Sequence, residues 1–345
     1  MMRQGVATRS LAVLIPTAVM VAVVVSGCGS SSGDSSTTET TASTKPVGLV
    51  LTGPPNDNGY YQQVNDGLKN AAKKNGVTVN VVSNVGFEPA AIISATKNLA
   101  KAGNDPVIVD GASGNAAATV AKLYPDTQFV IHAAPPPVAL KNLHAYVPQQ
   151  GITSYVAGAL AASLSKSKTV GFIGGLEDIP TGEAYAGYSG GAVAQVAGTK
   201  VPKAIIGSYS DPAKSKQAAS AQIANGADAI YAYVDAGFLG AVQAVTESGK
   251  SIPLISGTVA RCELSKDVAA ATIADNNVIM ADILSDSAAG KLPNGTTYYG
   301  VDDPKIQRVQ LCPGWDTPEN QKVVDDVTAS ITDGSVKLPK AITGR

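Results

Sequence analysis

The chain has 345 residues, 44% of them hydrophobic and only 15% charged, with a formal net charge of −1 at pH 7. A single core does not grow to that size, so two domains are expected, and a near-neutral chain without any basic run excludes nucleic acid as a partner. Its two histidines, His132 and His144, have no second His or Cys at ligand spacing, so no metal and no other cofactor is expected.

In chain order the first element is a leader. Arg3 and Arg9 precede an apolar stretch, Leu11 to Val25, that is short for a membrane span. It ends in Val25-Ser26-Gly27-Cys28, which resembles a bacterial lipobox. Small side chains at 26 and 27 fit a peptidase groove, and the Cys28 thiol takes up lipid before cleavage makes it the new N-terminus. The expectation is a removed signal peptide over 1–27 and, over 28–45, a lipidated Cys28 with a flexible tether rich in Gly, Ser and Thr, which cannot build a core. With Arg3 and Arg9 gone, the net charge becomes −3. The alternative is an uncleaved anchor with an incidental cysteine.

From Val47 onward, continuous β-rich runs alternate with helical patterns, as in parallel sheets covered on both faces. Predicted strands over 47–51, 77–82, 106–111 and 128–133 have predicted helices over 59–75, 89–103 and 114–123 between them. After Pro135-Pro136-Pro137 comes a helix over 151–166, then a second series of strands at 169–175, 203–209, 229–234 and 253–257. A strand over 270–276, a helix to about Gly290, a strand over 296–300 and a helix over 317–333 complete the pattern. Two such series predict an α/β protein of two doubly wound parallel-sheet lobes. Crossings between lobes are expected near 134–150, 257–260 and 292–300. That assigns 46–134 plus 258–294 to lobe 1 and 135–257 plus 295–345 to lobe 2. In an oxidising compartment the two remaining cysteines, Cys262 and Cys312, are expected to form a disulfide; two separate buried thiols are the alternative.

In open α/β sheets, ligands bind beyond the carboxyl ends of the strands. The candidates are therefore the polar and aromatic residues at those places: Asn56, Asp57, Tyr60, Ser113, His132, Tyr185, Tyr209, Asp235 and Thr258. Tyrosine offers a flat face and a directional hydroxyl. Asn56 and Asp57 also fit a turn and a helix cap. The stretch GGLEDIPTGE at 174–183 lacks the Lys-Ser or Lys-Thr ending of a phosphate loop. Without a metal cluster, and with both body cysteines expected to pair, no catalytic residue is assigned and an enzyme is not expected.

Six segments stand in order behind the lipobox: Asn56-Asp57-Asn58-Gly59-Tyr60, GITSYVAG at 151–158, VGFIGG at 170–175, AYAGYSGGA at 184–192, GSYSDPAKSK at 207–216 and GADAIYAYVDAGFLG at 226–240. Together they resemble the basic membrane protein family of ABC-transporter solute-binding lipoproteins. The resemblance implies a type I periplasmic-binding-protein fold, a lipid anchor on the extracytoplasmic face of the cell membrane, an ABC permease as partner and a small-molecule ligand in the cleft. In the best-known members it implies a purine nucleoside, its base stacked on aromatics and its ribose held by a carboxylate and a lysine. Asn56 and Asp57 match the family's Asn-Asp pair, Tyr60 or Tyr61 its first aromatic, and Tyr209 or Tyr185 its second. Three positions depart from the family: His132-Ala133 ends the fourth strand in place of Asp, Thr258 replaces another Asp, and Ala274-Asp275 stand where a late lysine is expected. The expectation is a small polar solute, neutral or weakly charged, nucleobase- or nucleoside-like. A ligand-sensing lipoprotein, or a binder of a sugar or other non-nucleoside solute, is the alternative.

Overall fold

A computed structural model describes residues 45–110 and 114–345. The leader, Cys28, nearly all of the tether and Ser113 lie outside the described residues. The elements run β1 (Val47–Val50), α1 (Tyr60–Lys74), β2 (Val79–Val82), α2 (Pro89–Lys101), β3 (Val107–Asp110), α3 (Gly114–Ala121), β4 (Phe129–His132) and β5 (Leu143–Pro148). They continue with α4 (Gln150–Leu164), β6 (Val170–Gly174), α5 (Ile179–Gln195), β7 (Lys203–Ile205), α6 (Pro212–Ala224), β8 (Ala229–Tyr233), α7 (Phe238–Ser248) and β9 (Leu254–Ser256). The last are β10 (Val268–Ala274), α8 (Asn276–Ala288), β11 (Thr296–Tyr299), β12 (Gln307–Leu311), α9 (Pro318–Thr332) and α10 (Lys340–Thr343).

Two six-stranded sheets result, ordered β11-β5-β4-β3-β1-β2 and β12-β10-β9-β8-β6-β7. Every pairing is parallel except that of β10 with β12. The continuous apolar runs have a direct cause. Successive strand residues face opposite sides, and both sides are covered: Val107 and Val109 of β3 join one core cluster and Ile108 the other. In the second sheet, Ala229, Tyr231 and Tyr233 of β8 face one cluster, while Ile230 and Ala232 face the other.

The architecture is the expected two-lobed α/β fold, but sheet membership divides the chain differently from the boundaries read in the sequence. The segment 143–148, assigned there to a crossing and lobe 2, is β5 of the first sheet. Residues 268–274, assigned to lobe 1, pair with β9 in the second sheet, because the loop after Gly257 turns back through Thr258 at a φ of 61° instead of crossing. The strand 296–299, assigned to lobe 2, pairs with β5 in the first sheet. The crossings therefore fall between β5 and α4, between β10 and α8, and between β11 and β12. Gln307–Leu311 is a further strand that the sequence pattern did not reveal. Helix α8 packs on α1 within the first lobe, through Ile279, Met280 and Ile283.

Cys262 and Cys312 form a disulfide with their Cα atoms 5.3 Å apart. It ties a one-turn helix, Cys262–Leu264, to the end of β12. The chain-entropy model assigns such a loop of 50 residues roughly 4 kcal/mol of stabilisation. Among the described residues, no helix is long and apolar enough to cross a membrane.

Candidate functional site

The site begins with a turn. After β1 the chain runs Gly53-Pro54-Pro55-Asn56-Asp57-Asn58-Gly59, with Asn58 at a φ of 51°. The Asp57 carboxylate accepts hydrogen bonds from the backbone N–H groups of Gly59 (2.9 Å), Gln62 (3.0 Å) and Tyr61 (3.3 Å). It thereby satisfies donors that a helix start leaves without partners, and sets Tyr60 and Tyr61 in the first turn of α1. Asn56 is exposed. Neither Asn56 nor Asp57 lines the interlobe cavity described below.

That cavity, about 360 Å³ in volume, lies between the lobes. Tyr60, Tyr61 and Phe87 line it from the first lobe, and Tyr209 and Tyr233 from the second. Three glycines give the rings room. A Cβ on Gly53 would stand 2.3 Å from the Tyr61 ring, one on Gly175 would stand 2.2 Å from that of Tyr209, and one on Gly257 would stand 2.8 Å from that of Tyr233. The hydroxyls are held as well: Tyr61 to Thr52 at 2.9 Å, and Tyr209 donating to Asp178 at 2.7 Å while lying 2.8 Å from the Thr181 hydroxyl.

Behind Tyr60 lies a buried polar cluster. Its hydroxyl donates to Asp110, the same oxygen is 2.9 Å from Nδ1 of His132, and the Tyr60 and His132 rings stack 5.7 Å apart at 9°. His132 is fully buried and does not line the cavity; it stands behind the Tyr60 ring. Tyr185 also stays out of the cavity: its ring packs edge-on against Phe172 and its hydroxyl donates to the Val201 carbonyl.

Asp235 follows β8 at the junction of the lobes. Its Oδ1 accepts the Tyr60 backbone N–H at 3.2 Å, and a Cβ on Gly59 would stand 2.7 Å from that same oxygen. Burial pushes its carboxyl up to about 7, and the negative charges of Asp57 and Asp110 act the same way. The nearby Arg261 guanidinium and the Tyr60 N–H pull in the opposite direction. Asp235 lines both the cavity and a larger groove of about 590 Å³ on its far side. Arg261 lines that groove and makes a second bridge between lobes, donating to the Asn58 carbonyl at 3.2 Å. Thr258 is buried, lines the cavity and has a hydroxyl without a partner among the described residues.

Of the residues expected from sequence, Tyr60, Tyr209, Asp235 and Thr258 thus meet in one cavity. Sequence reasoning missed Phe87, Gln150 and Tyr233 as lining residues; Asp178 and Glu183 fall in the stretch 177–185 after β6, which the strand-end rule covers, but neither was singled out. Gln150 opens α4 rather than following a strand end directly into the cleft. The signal for Asp178 was present: it precedes Ile179-Pro180 and caps α5 by accepting the Thr181 N–H at 3.0 Å.

The family model of the Bmp proteins, described as "ABC transporter substrate-binding protein PnrA-like", matches residues 44–340. The chain belongs to this family. Among curated relatives, the Bmp protein of Lactococcus lactis subsp. cremoris named ABC transporter nucleoside-binding protein BmpA is 29% identical over 54% of this chain and 57% of its own. A purine-binding protein of Brucella abortus is 31% identical over 55% of this chain and 54% of its own. This chain therefore spans little more than half the length of these two relatives. Basic membrane protein A of Borreliella burgdorferi is 24% identical over 85% of this chain and 87% of its own. The fold is shared with a solute-binding protein of Aeropyrum pernix K1, with a TM-score of 0.75 and 16% identity over 85% of this chain and 93% of that one. It is shared too with a 5-methylthioribose transporter solute-binding protein of Thermotoga lettingae, with a TM-score of 0.62 and 18% identity over 86% and 92%.

The match over residues 44–340 places the chain among ABC-transporter substrate-binding proteins of the PnrA-like type. One sequence feature invites an enzymatic view instead and is explained by the fold. Gly187-Tyr188-Ser189-Gly190-Gly191 has the spacing of a nucleophile elbow, yet it lies inside α5, whereas such an elbow is a sharp turn between strand and helix.

Proposed function

We propose that this substrate-binding protein is anchored by lipid on Cys28 and delivers to its permease a small polar solute with a planar ring. Nucleobase-like compounds and modified nucleosides rank ahead of unmodified purine nucleosides. The observation that carries this reading is the pairing of Tyr60 from one lobe with Tyr209 from the other across a single cavity. Aromatic faces on both sides suit a flat ring, and the names of the Lactococcus and Brucella relatives point the same way.

The ribose end is where the chain departs from its relatives. Thr258 offers one hydroxyl where a carboxylate would accept two. Ala274 is the fully buried last residue of β10, and Asp275 is used as the cap of α8, accepting the Asn277 N–H at 3.1 Å. Ribose hydroxyls left unpaired in a closed cleft cost about 1 to 3 kcal/mol each, roughly tenfold or more in affinity per group. Mass spectrometry of small molecules released from the purified protein, followed by calorimetry with adenosine, guanosine, inosine and the free bases, tests the order. Bases are expected to bind more tightly. Submicromolar binding of the ordinary nucleosides with no preference for bases would overturn it.

The anchor has its own test. Several acyl chains on one cysteine hold a protein stably at a membrane where a single chain does not. Cys28→Ser is therefore expected to move the protein from the membrane to the soluble fraction, and retention at the wild-type level would refute lipidation.

A further inference from the structure

The charges around the cavity are all of one sign. Glu177, Asp178, Glu183 and Asp235 line it, and among the described residues no Lys, Arg or His does. Two of the four are already engaged: Asp178 by the Thr181 N–H and the Tyr209 hydroxyl, and exposed Glu177 by Lys203 at 3.8 Å. The other two have capacity left. Glu183 has no hydrogen bond or ion pair among the described residues, and Asp235 takes one backbone N–H through a single oxygen. Burial raises both carboxyls to about 7, as expected of acids that lack a full counter-charge.

A second observation is independent of these acids. In a chain with only 5% aromatic residues, five aromatic rings line this one cavity. Ring faces attract cations, and more strongly where water is excluded. A third is Gln150, a lining residue only 5% exposed, whose amide oxygen lacks a donor among the described residues. Aromatic faces, unpaired carboxyls and an unfilled acceptor all ask for the same thing, a positively charged group that carries or adjoins an N–H. The described residues contain no cluster of His, Cys, Asp and Glu fit to hold a metal ion, which points to an organic cation.

We infer that the cleft selects a planar solute bearing a positive charge, such as an N-alkylated heterocycle or an aromatic ammonium, over its neutral counterpart. This rests on the proposal that the cleft holds a flat ring, and it adds the sign of the charge. The same geometry excludes phosphorylated solutes, since no cation lines the cavity to receive an anion.

The test compares pairs that differ in charge and by a single methyl group: nicotinamide with 1-methylnicotinamide, and adenosine with 1-methyladenosine, which is cationic at neutral pH. Calorimetry on the wild-type protein freed of retained ligand is expected to find the cation of each pair at least tenfold tighter. Glu183→Gln and Asp235→Asn, each near-isosteric, are each expected to cut the ratio of cation to neutral affinity severalfold. Equal or tighter binding of the neutral members overturns the charge inference and leaves the flat-ring proposal standing. Binding of neither member of either pair overturns both. A cation preference that survives in both variants also overturns the assignment to these carboxyls.

Discussion

Alanine in place of Gly158 is expected to destabilise the protein by about 2 kcal/mol or more, although in an ordinary helix the same change stabilises. Gly158 lies in α4 where that helix meets α5, and a Cβ there would stand 2.0 Å from the Tyr188 carbonyl oxygen and 2.8 Å from its carbon. The contact is reciprocal. A Cβ on Gly187 would meet the Gly151 carbonyl oxygen at 1.9 Å, and one on Gly191 would meet that of Tyr155 at 1.9 Å. The obstacles are backbone atoms, so no rotamer change relieves them and the helices must separate. Overpacking of this kind costs about 1 to 3 kcal/mol and occasionally more. It outweighs the gain of up to about 1 kcal/mol in helix propensity from Gly to Ala. Gly182→Ala in the same α5, where an added Cβ meets nothing within 4 Å, supplies the control and is expected to be neutral or stabilising. Urea denaturation checks both: the midpoint should fall for Gly158→Ala with an unchanged slope, and equal midpoints for the two variants would contradict the packing argument. Moving α5 would also move Asp178, Thr181 and Glu183, so ligand binding should weaken together with stability.

Asp235→Asn is expected to do the reverse, raising stability above neutral pH while weakening binding of a cation. The folded carboxyl sits at about 7, held there by burial, against an ordinary value near 4. Below about pH 4 the folded and unfolded chains are both protonated here, and the group contributes no difference. Between about pH 4 and 7 the unfolded chain has released its proton and the folded one keeps it, so stability falls as pH rises through this window. Above 7 the loss is complete, on the order of 4 kcal/mol. Asparagine retains an oxygen for the Tyr60 N–H and removes the charge. Thermal melts of wild type and variant should coincide near pH 4 and diverge toward pH 8, with the variant several degrees higher. Glu183 is shifted in the same direction by burial, and comparing the two proteins at each pH isolates Asp235 from it. Melting curves that keep the same separation across the whole range would refute the argument.

What the sequence made legible follows from burial on both faces. The strands VGLV, VIVD, FVIH and AIYAY are fully buried, so they stand out as apolar runs. LHAYVP was not recognised, because His144 makes its hydrogen bonds within the protein, to the Pro293 carbonyl and to Gln128, and so interrupts an otherwise buried strand with a polar residue. QRVQL was missed as an edge strand with alternating polar residues, a pattern that short loops imitate. In the cleft, Tyr60, Tyr209, Asp235 and Thr258 were accessible to the rule that ligands gather beyond strand ends. Gln150 was not, since the packing of α4 brings it there. The motifs that first suggested the family have a physical explanation in the same place: GITSYVAG and AYAGYSGGA are the two sides of the α4 and α5 contact.

Gly59 and Asp235 are separated by about half of the chain, yet the carboxylate occupies the space that a side chain at 59 would need. Position 59 is not free to drift alone. A lineage that acquires any larger residue at 59 must first, or simultaneously, shorten 235, and in doing so it gives up the charge that faces the cavity. If charge selects the solute as inferred above, a glycine outside the cavity lining constrains that selection, and any enlargement at 59 is expected to be accompanied by a replacement at 235.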